Sequence, residues 1–322
     1  MKKGLKTWGI LLTSLLVLAG CSSNSKEQGA TNSNDDKVKT EKVVKTIEIE
    51  DSNGKVTVPA NPKKVVVFDM GSLDTIKELG EEKAVVGVPT KSLPAYLAEF
   101  DKVESVGGIK EPDLEKINEL QPDLIVISGR QEDYQKELAE IAPTIYLSVD
   151  SQDSWNSTKD NIETLATIFD NRKIADDKIQ KLEKEISAVK KQAADSQLKT
   201  LVTLVNEGQL SAYGEGSRFG IVHDTFGFAP VDSKIEASTH GQSVSYEYVL
   251  EQNPDVVFVV DRTKAIGGDE SQNNVAKNEL VAQTKAGQTD KIISLTPDVW
   301  YLSGGGLKCT ELMLEDVAQA FK

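Results

Sequence analysis

Arg130 and Arg262 occupy matching places in an ungapped internal repeat. Residues 113–130 read Asp-Leu-Glu-Lys-Ile-Asn-Glu-Leu-Gln-Pro-Asp-Leu-Ile-Val-Ile-Ser-Gly-Arg, and residues 245–262 read Ser-Tyr-Glu-Tyr-Val-Leu-Glu-Gln-Asn-Pro-Asp-Val-Val-Phe-Val-Val-Asp-Arg. Glu115 aligns with Glu247, Glu119 with Glu251, Pro122 with Pro254 and Asp123 with Asp255. Each copy reads as a helix, a Pro-Asp turn, a buried strand and then a guanidinium. Ligands of open α/β sheets sit beyond the carboxyl ends of the strands. Two α/β halves facing one another would therefore set both arginines in one cleft, where guanidiniums suit an anion. Either arginine alone reads more simply as a surface ion pair; the repeated placement favours the cleft.

Three further segments join this pair. Gly214-Glu215-Gly216-Ser217-Arg218-Phe219-Gly220 is a Gly/Ser-rich turn ahead of a helix expected over 221–226. Such a turn could offer an anion both backbone N–H groups and the Arg218 guanidinium, or be a plain helix start. Thr239-His240-Gly241-Gln242 is a polar loop just before the second repeat, on the side expected to carry the cleft. His223, the other of the two histidines, falls within the apolar spacing after Arg218 and reads as structural. Pro297 to Gly306 follows a strand at 292–295, so Trp300 and Tyr301 fall at a strand end beside glycines that allow close backbone approach. Closing the core is the lesser alternative for those aromatics.

The elements that must position these groups alternate. Runs at 64–68, 84–88, 123–127 and 144–147 read as buried strands, with helical spacing at 72–79 and 112–120 between them. From Trp155 to Ala194 strand patterning stops, and spaced apolar residues fit one long helix or two broken near Asn171. Strands resume at 200–205, 256–260 and 292–295. The expected fold class is α/β: two lobes with mainly parallel sheets joined by one long connecting helix. The expected domains are a lobe over 46–154, a connecting helix over 155–195 and a second lobe over 196–322.

The N-terminus addresses the compartment. Lys2, Lys3 and Lys6 precede an apolar run from Trp8 to Ala19, closed by Leu18-Ala19-Gly20-Cys21. This reads as a signal peptide over 1–20, the run being shorter than the roughly 20 residues that span a bilayer. The pattern resembles the lipobox of bacterial lipoproteins, which implies that Cys21 becomes the lipidated first residue. Residues 21–45 are mostly Ser, Asn, Lys, Glu and Asp and read as a flexible tether. Attachment to the outer face of a Gram-positive cell membrane is favoured by the tether's length.

Charge and cysteine content narrow the class. Net charge is −14 for the whole chain, and loss of the three signal-peptide lysines takes it to −17. That acidity disfavours nucleic acid as a partner. Beyond Cys21 only Cys309 remains, so there is no intramolecular disulfide, and Cys309 reads as a small buried apolar residue. No P-loop, Gly-x-Ser-x-Gly motif or dinucleotide fingerprint occurs, which argues against an enzyme. Two histidines are too few for a cleft that binds bare zinc or manganese.

Gly216-Ser217-Arg218-Phe219-Gly220-Ile221-Val222-His223-Asp224, Thr239 to Ser245, Asn253-Pro254-Asp255 through Arg262, and Trp300-Tyr301-Leu302 together resemble the catecholate-siderophore-binding lipoproteins of ABC-type iron importers. The resemblance covers essentially the whole chain after the tether. It implies a class III solute-binding fold with limited hinge motion, no intrinsic cofactor, and ferric iron bound as a siderophore complex. Residue by residue, it implies that Arg130, Arg218 and Arg262 bind the siderophore and that His240 and Tyr301 are direct iron ligands. Glu115 and Glu247 take the places of glutamates that dock on the permease, although solvated helix faces would read the same way. Expected partners are an ABC permease with its ATPase, and the chain is expected to be a monomer. Heme or cobalamin as cargo, or a surface scaffold without transport, are the alternative readings.

Overall fold

A β-hairpin, β1 (Thr46–Asp51) and β2 (Gly54–Pro59), precedes the first sheet. Residues 45–322 are described by the computed structural model; residues 1–20, Cys21 and the tether up to residue 44 lie outside the described residues. The first sheet contains β3 (Val65–Val67), β4 (Val85–Val88), β5 (Glu104–Ser105), β6 (Leu124–Ile127) and β7 (Thr144–Tyr146). Its order is β5-β4-β3-β6-β7, all parallel. Successive strand residues face opposite sides, and both sides are covered. Val65, Val67, Leu124 and Val126 pack toward α1 (Met70–Glu78), while Val66, Ile125 and Ile127 pack toward α2 (Leu114–Leu120) and α3 (Gln135–Ile141). That is why the strands read as unbroken apolar runs.

The stretch expected as a connecting helix over 155–195, either unbroken or broken near Asn171, is two helices with the break at Asn171, α4 (Ser154–Ile168) and α5 (Arg172–Ser196). Asp170 adopts a left-handed conformation, φ 58°, and ends the first before Asn171 starts the second. Each strip of buried residues has helical spacing, as in Ala175, Ile179, Leu182, Ile186, Val189 and Ala193 of α5.

The second sheet contains β8 (Lys199–Asn206), β9 (Gln209–Tyr213), β11 (Gln242–Val244), β12 (Val256–Asp261) and β13 (Ile292–Ser294), in the order β11-β9-β8-β12-β13, with β10 (Ala229–Pro230) beside the start of β8. It is mixed, unlike the mainly parallel expectation: β8, β10, β12 and β13 run parallel, but β9 is antiparallel to both β8 and β11. The cause is local. Glu207 and Gly208 both take positive φ, 50° and 79°, forming a tight hairpin turn that folds β9 straight back on β8. The helices of this half are α6 (Ile221–Asp224), α7 (Tyr246–Gln252), α8 (Arg262–Ala265), α9 (Lys285–Gln288) and α10 (Leu307–Val317).

The two repeat copies fold alike. Asp113 caps α2 by accepting from Lys116 N at 3.0 Å, and Ser245 caps α7 by accepting from Tyr248 N at 3.3 Å. Gln121 and Asn253 end them in left-handed conformations, φ 49° and 46°. Each Pro-Asp carboxylate then seizes the backbone entering the neighbouring strand. Asp123 accepts from Lys63 and Lys64 N at 2.8 and 3.0 Å, and Asp255 accepts from Lys199 N at 2.9 Å. These bonds set the registers Val65 to Leu124 and Thr200 to Val256.

Although the sequence groups it with 196–322, α10 packs against α1 of the first half and against α5. Asp74 of α1, fully buried, caps α10 by accepting from Lys308 N at 3.2 Å and Cys309 N at 2.8 Å. Cys309 is itself buried, as its expected packing role requires. The chain therefore crosses between the halves twice, once through α4 and α5 and again through residues 297–306.

Candidate functional site

Both sheets change winding direction, between β3 and β6 in the first and between β8 and β12 in the second. Arg130 and Arg262 stand just past β6 and β12, at those two switch points. Ser128 and Gln131 form a reciprocal capping box around the turn that carries Arg130. Asp261 caps α8 by accepting from Lys264 N at 2.9 Å, so Arg262 is that helix's first residue.

Tyr301 lies in a single π turn, Val299–Ser303, that leads from β13 toward α10. Such turns often mark functional sites. Trp300 points into the core, where its Nε1 donates to Asp316 Oδ2 at 2.9 Å. Asp316 also accepts from Thr296 N and Oγ1 at 2.7 and 3.0 Å, which ties the base of the turn to α10. Tyr301 emerges half-buried on the other side.

The three expected arginines converge on Tyr301. Arg130 Nη1 and Nη2 donate to the carbonyls of Leu302 at 3.1 Å and Tyr301 at 2.6 Å, and Arg218 Nη2 donates to the same Tyr301 carbonyl at 2.7 Å. Arg262 Nε donates to the Tyr301 hydroxyl at 2.8 Å, and its Nη1 donates to Asn206 Oδ1 at 2.6 Å. The Arg218 and Arg262 guanidinium carbons lie 4.5 and 5.6 Å from the Tyr301 ring centre. One arginine thus comes from the first half and two from the second.

Electrostatics follow from this crowding. Burial, then the neighbouring Arg218 charge, lower the Arg130 pKa, while the nearby Asp69 carboxylate works the other way. A guanidinium remains cationic under such a shift. Burial would raise the Tyr301 phenol, but the Arg262 hydrogen bond and the charges of Arg262 and Arg218 outweigh it and hold the phenol below its ordinary value. The result is a cationic, partly dry surface around a phenol held below its ordinary pKa.

His240 stands apart from that cluster: it is exposed, and its loop is fixed through its backbone, by His240 N donating to Ser238 Oγ at 3.1 Å and by Tyr213 Oη donating to the His240 carbonyl at 2.9 Å. Tyr213 connects it indirectly to the rest, its ring 4.7 Å edge-on to Phe219, which in turn lies 6.5 Å from Trp300. His223 is buried, with Nδ1 at 2.9 Å from the Phe228 carbonyl, and burial lowers its pKa.

The Arg218 turn differs from expectation in two respects. The helix expected over 221–226 is the single turn α6, because the chain turns at Gly227, φ 79°. The backbone N–H groups expected to meet an anion are already satisfied: Gly216 N donates to Asp224 Oδ2 at 2.8 Å and Ser217 N to the Gly214 carbonyl at 3.3 Å. The turn therefore presents a guanidinium but not a nest of free N–H groups.

Glu115 and Glu247 lie exposed in the first turns of α2 and α7, on equivalent surfaces of the two halves. Cys21 lies outside the described residues. Sequence reasoning missed Asn206, Asp69 and Tyr213. Asn206 ends β8, beside β12, and Asp69 caps α1 just past β3, beside β6, positions that the repeat geometry could have flagged. A separate groove of about 990 Å³ runs along β1, β7 and α4, lined by Glu48, Glu50, Asp51, Asp150, Asp160 and Glu163. Its charge is wrong for an anion, so the arginine cluster is the better candidate site.

A family model described as "Periplasmic binding protein" matches residues 65–299. The chain belongs to that family. Its fold is accordingly the class III binding-protein fold. The petrobactin-binding protein YclQ of Bacillus subtilis (strain 168) is 44% identical over 310 residues, covering 96% of each chain. The crystal structure of that relative has a TM-score of 0.84 at 45% identity, covering 86% of this chain and 99% of its own. PiuA of Streptococcus pneumoniae Canada MDR_19A, an iron uptake ABC transporter substrate-binding protein, gives 0.83 at 46% identity, with coverage of 86% and 99%. VctP of Vibrio cholerae, a periplasmic catecholate-siderophore binding protein, gives 0.80 at 33% identity, with coverage of 85% and 100%. The family is one of substrate-binding proteins.

Proposed function

We propose that this protein captures a ferric siderophore, of catecholate type, and delivers it to an ABC permease for iron uptake. The observation that carries the reading is the convergence of Arg130, Arg218 and Arg262, from both halves, around Tyr301. A ferric ion wrapped by three catecholates carries net charge near −3, and guanidiniums in a partly dry cleft attract it while donating to catecholate oxygens. Where only two catecholates are supplied, two positions of octahedral iron stay open. Tyr301, as phenolate, and an imidazole nitrogen of His240 are the groups we assign to them. The lowered phenol pKa supports that role. So do relatives named for binding petrobactin and catecholate siderophores.

In this reading Glu115 and Glu247 dock on the permease, which works with its ATPase, and the protein acts as a monomer. Cys21 carries the lipid that anchors it to the outer face of a Gram-positive cell membrane; several relatives are named substrate-binding or siderophore-binding lipoproteins. The test is a titration of intrinsic tryptophan fluorescence with ferric catecholates, ferric hydroxamates, heme and cobalamin. Trp300 directly precedes Tyr301, so a bound ferric complex should quench it. Submicromolar quenching by ferric catecholates alone is expected. A response confined to heme or cobalamin would replace the cargo, and no response to any of them would remove the transport reading.

A further inference from the structure

The pair of open iron positions assigned above to Tyr301 and His240 makes a demand that the two residues meet differently. Tyr301 is held by three guanidiniums, whereas the exposed His240 depends on its backbone. We propose that Tyr213 is a positioning residue for the iron site, its hydroxyl fixing the loop that presents His240. This rests on the reading of His240 as an iron ligand.

Tyr213 ends β9, is 2% exposed, and donates to the His240 carbonyl at 2.9 Å. A buried phenol hydroxyl needs such a partner. The approach is close enough to dictate the next residue. Gly241 has φ 75°, and a Cβ there would lie 2.7 Å from Tyr213 Cζ and 3.0 Å from the Ala212 carbonyl oxygen, so only glycine lets the loop rest on the ring. Two more bonds join the same segments: Ser238 N donates to Ser217 Oγ and Arg218 N to the Ser238 carbonyl, both at 3.3 Å. Residues 213–218 and 238–241 are thus stitched together, and one segment carries Arg218 while the other carries His240. On its far side the Tyr213 ring packs on Phe219 and through it toward Trp300. One aromatic file therefore sets Arg218, Tyr301 and the His240 loop relative to one another. The hydroxyl is the part of Tyr213 that acts on His240, and the ring is the part that packs.

That division gives the test. Tyr213→Phe keeps the ring and removes the tether. Iron(III) held by a linear bis-catecholamide has two open positions and needs both protein ligands; iron(III) held by a tripodal tris-catecholamide has none. Tyr213→Phe should weaken binding of the bis-catecholamide complex about fivefold, the scale of one lost hydrogen bond, and leave the tris-catecholamide complex unchanged. Gly241→Ala, which pushes the loop off the ring, should discriminate in the same direction. His240→Ala should weaken the bis-catecholamide complex at least as much, and Tyr213→Phe added to it should cost nothing further. Equal losses for both complexes would reduce Tyr213 to a packing residue and overturn the proposal. So would a loss in His240→Ala with none in Tyr213→Phe. If His240→Ala itself loses nothing, the ligand reading of His240 has failed and takes the proposal with it.

Discussion

Replacing Asp74 by Asn probes the joint between the halves. The Asp74 carboxyl is fully buried where α1 meets α10, and burial raises its pKa from an ordinary 3.8 to about 7, against the opposing pull of the Cys309 N–H. A raised pKa means that the folded protein holds this proton more tightly than the unfolded chain does. The associated stability is complete below about pH 4 and is lost as pH rises through about 7. At about 1.4 kcal/mol per unit, a shift of some three units corresponds to a loss on the order of 4 kcal/mol across that window. Asn cannot ionise, and it offers the α10 amides one acceptor oxygen in place of two. Asp74→Asn should therefore be less stable than the parent at pH 4 and gain on it steadily toward pH 8. The assay is urea unfolding of both proteins at half-unit pH steps, comparing the difference in unfolding free energy. Other titrating groups are common to both and cancel in that difference. A difference that stays constant from pH 4 to 8 would refute the assignment of this proton to Asp74.

Further outcomes concern the candidate site. Arg130→Gln, Arg218→Gln and Arg262→Gln should each weaken ferric tris-catecholate binding about ten- to hundredfold, the scale of a lost charged hydrogen bond, and added salt should narrow the gap from the parent. Equilibrium titration at two ionic strengths checks this. Tyr301→Phe should abolish the visible tyrosinate-to-iron charge-transfer band of the bis-catecholate complex, and a band that survives would reassign the ligand. The double variant Glu115→Lys with Glu247→Lys should bind ferric catecholate normally yet fail in cellular iron uptake, while a loss of binding would show that these glutamates serve the lobes themselves.

Much of the frame was legible because local rules and tertiary structure agree. Strands such as Leu124–Ile127 are buried on both faces and so appear as plain apolar runs. The repeat could be read because its Pro-Asp turns make the same backbone contacts in both halves, at Asp123 and Asp255. The hairpins were less visible. Asn53-Gly54 is a strong turn signal, and Ile47, Ile49, Val56 and Val58 alternate with polar residues in β1 and β2, yet the hairpin stands outside both α/β sheets and so falls outside their strand–helix rhythm. The mixed second sheet hinges on Glu207 adopting positive φ, a conformation its residue type does not advertise. At the site, residue types revealed the arginines, but not that carbonyls of Tyr301 and Leu302 would occupy them. That arrangement depends on a crossing segment more than 80 residues from Arg218 and more than 170 from Arg130.

Those occupied guanidiniums bear on how cargo could be let go. In the proposed function an arriving anion does not fill a bare charged hollow. It trades places with main-chain oxygens that already quench the repulsion between Arg130 and Arg218. Binding strength is then the surplus of one set of bonds over another. In that same reading, the π turn reclaims its partners as the iron complex departs on the permease, so a tight grip and a prompt handover can reside in the same few atoms.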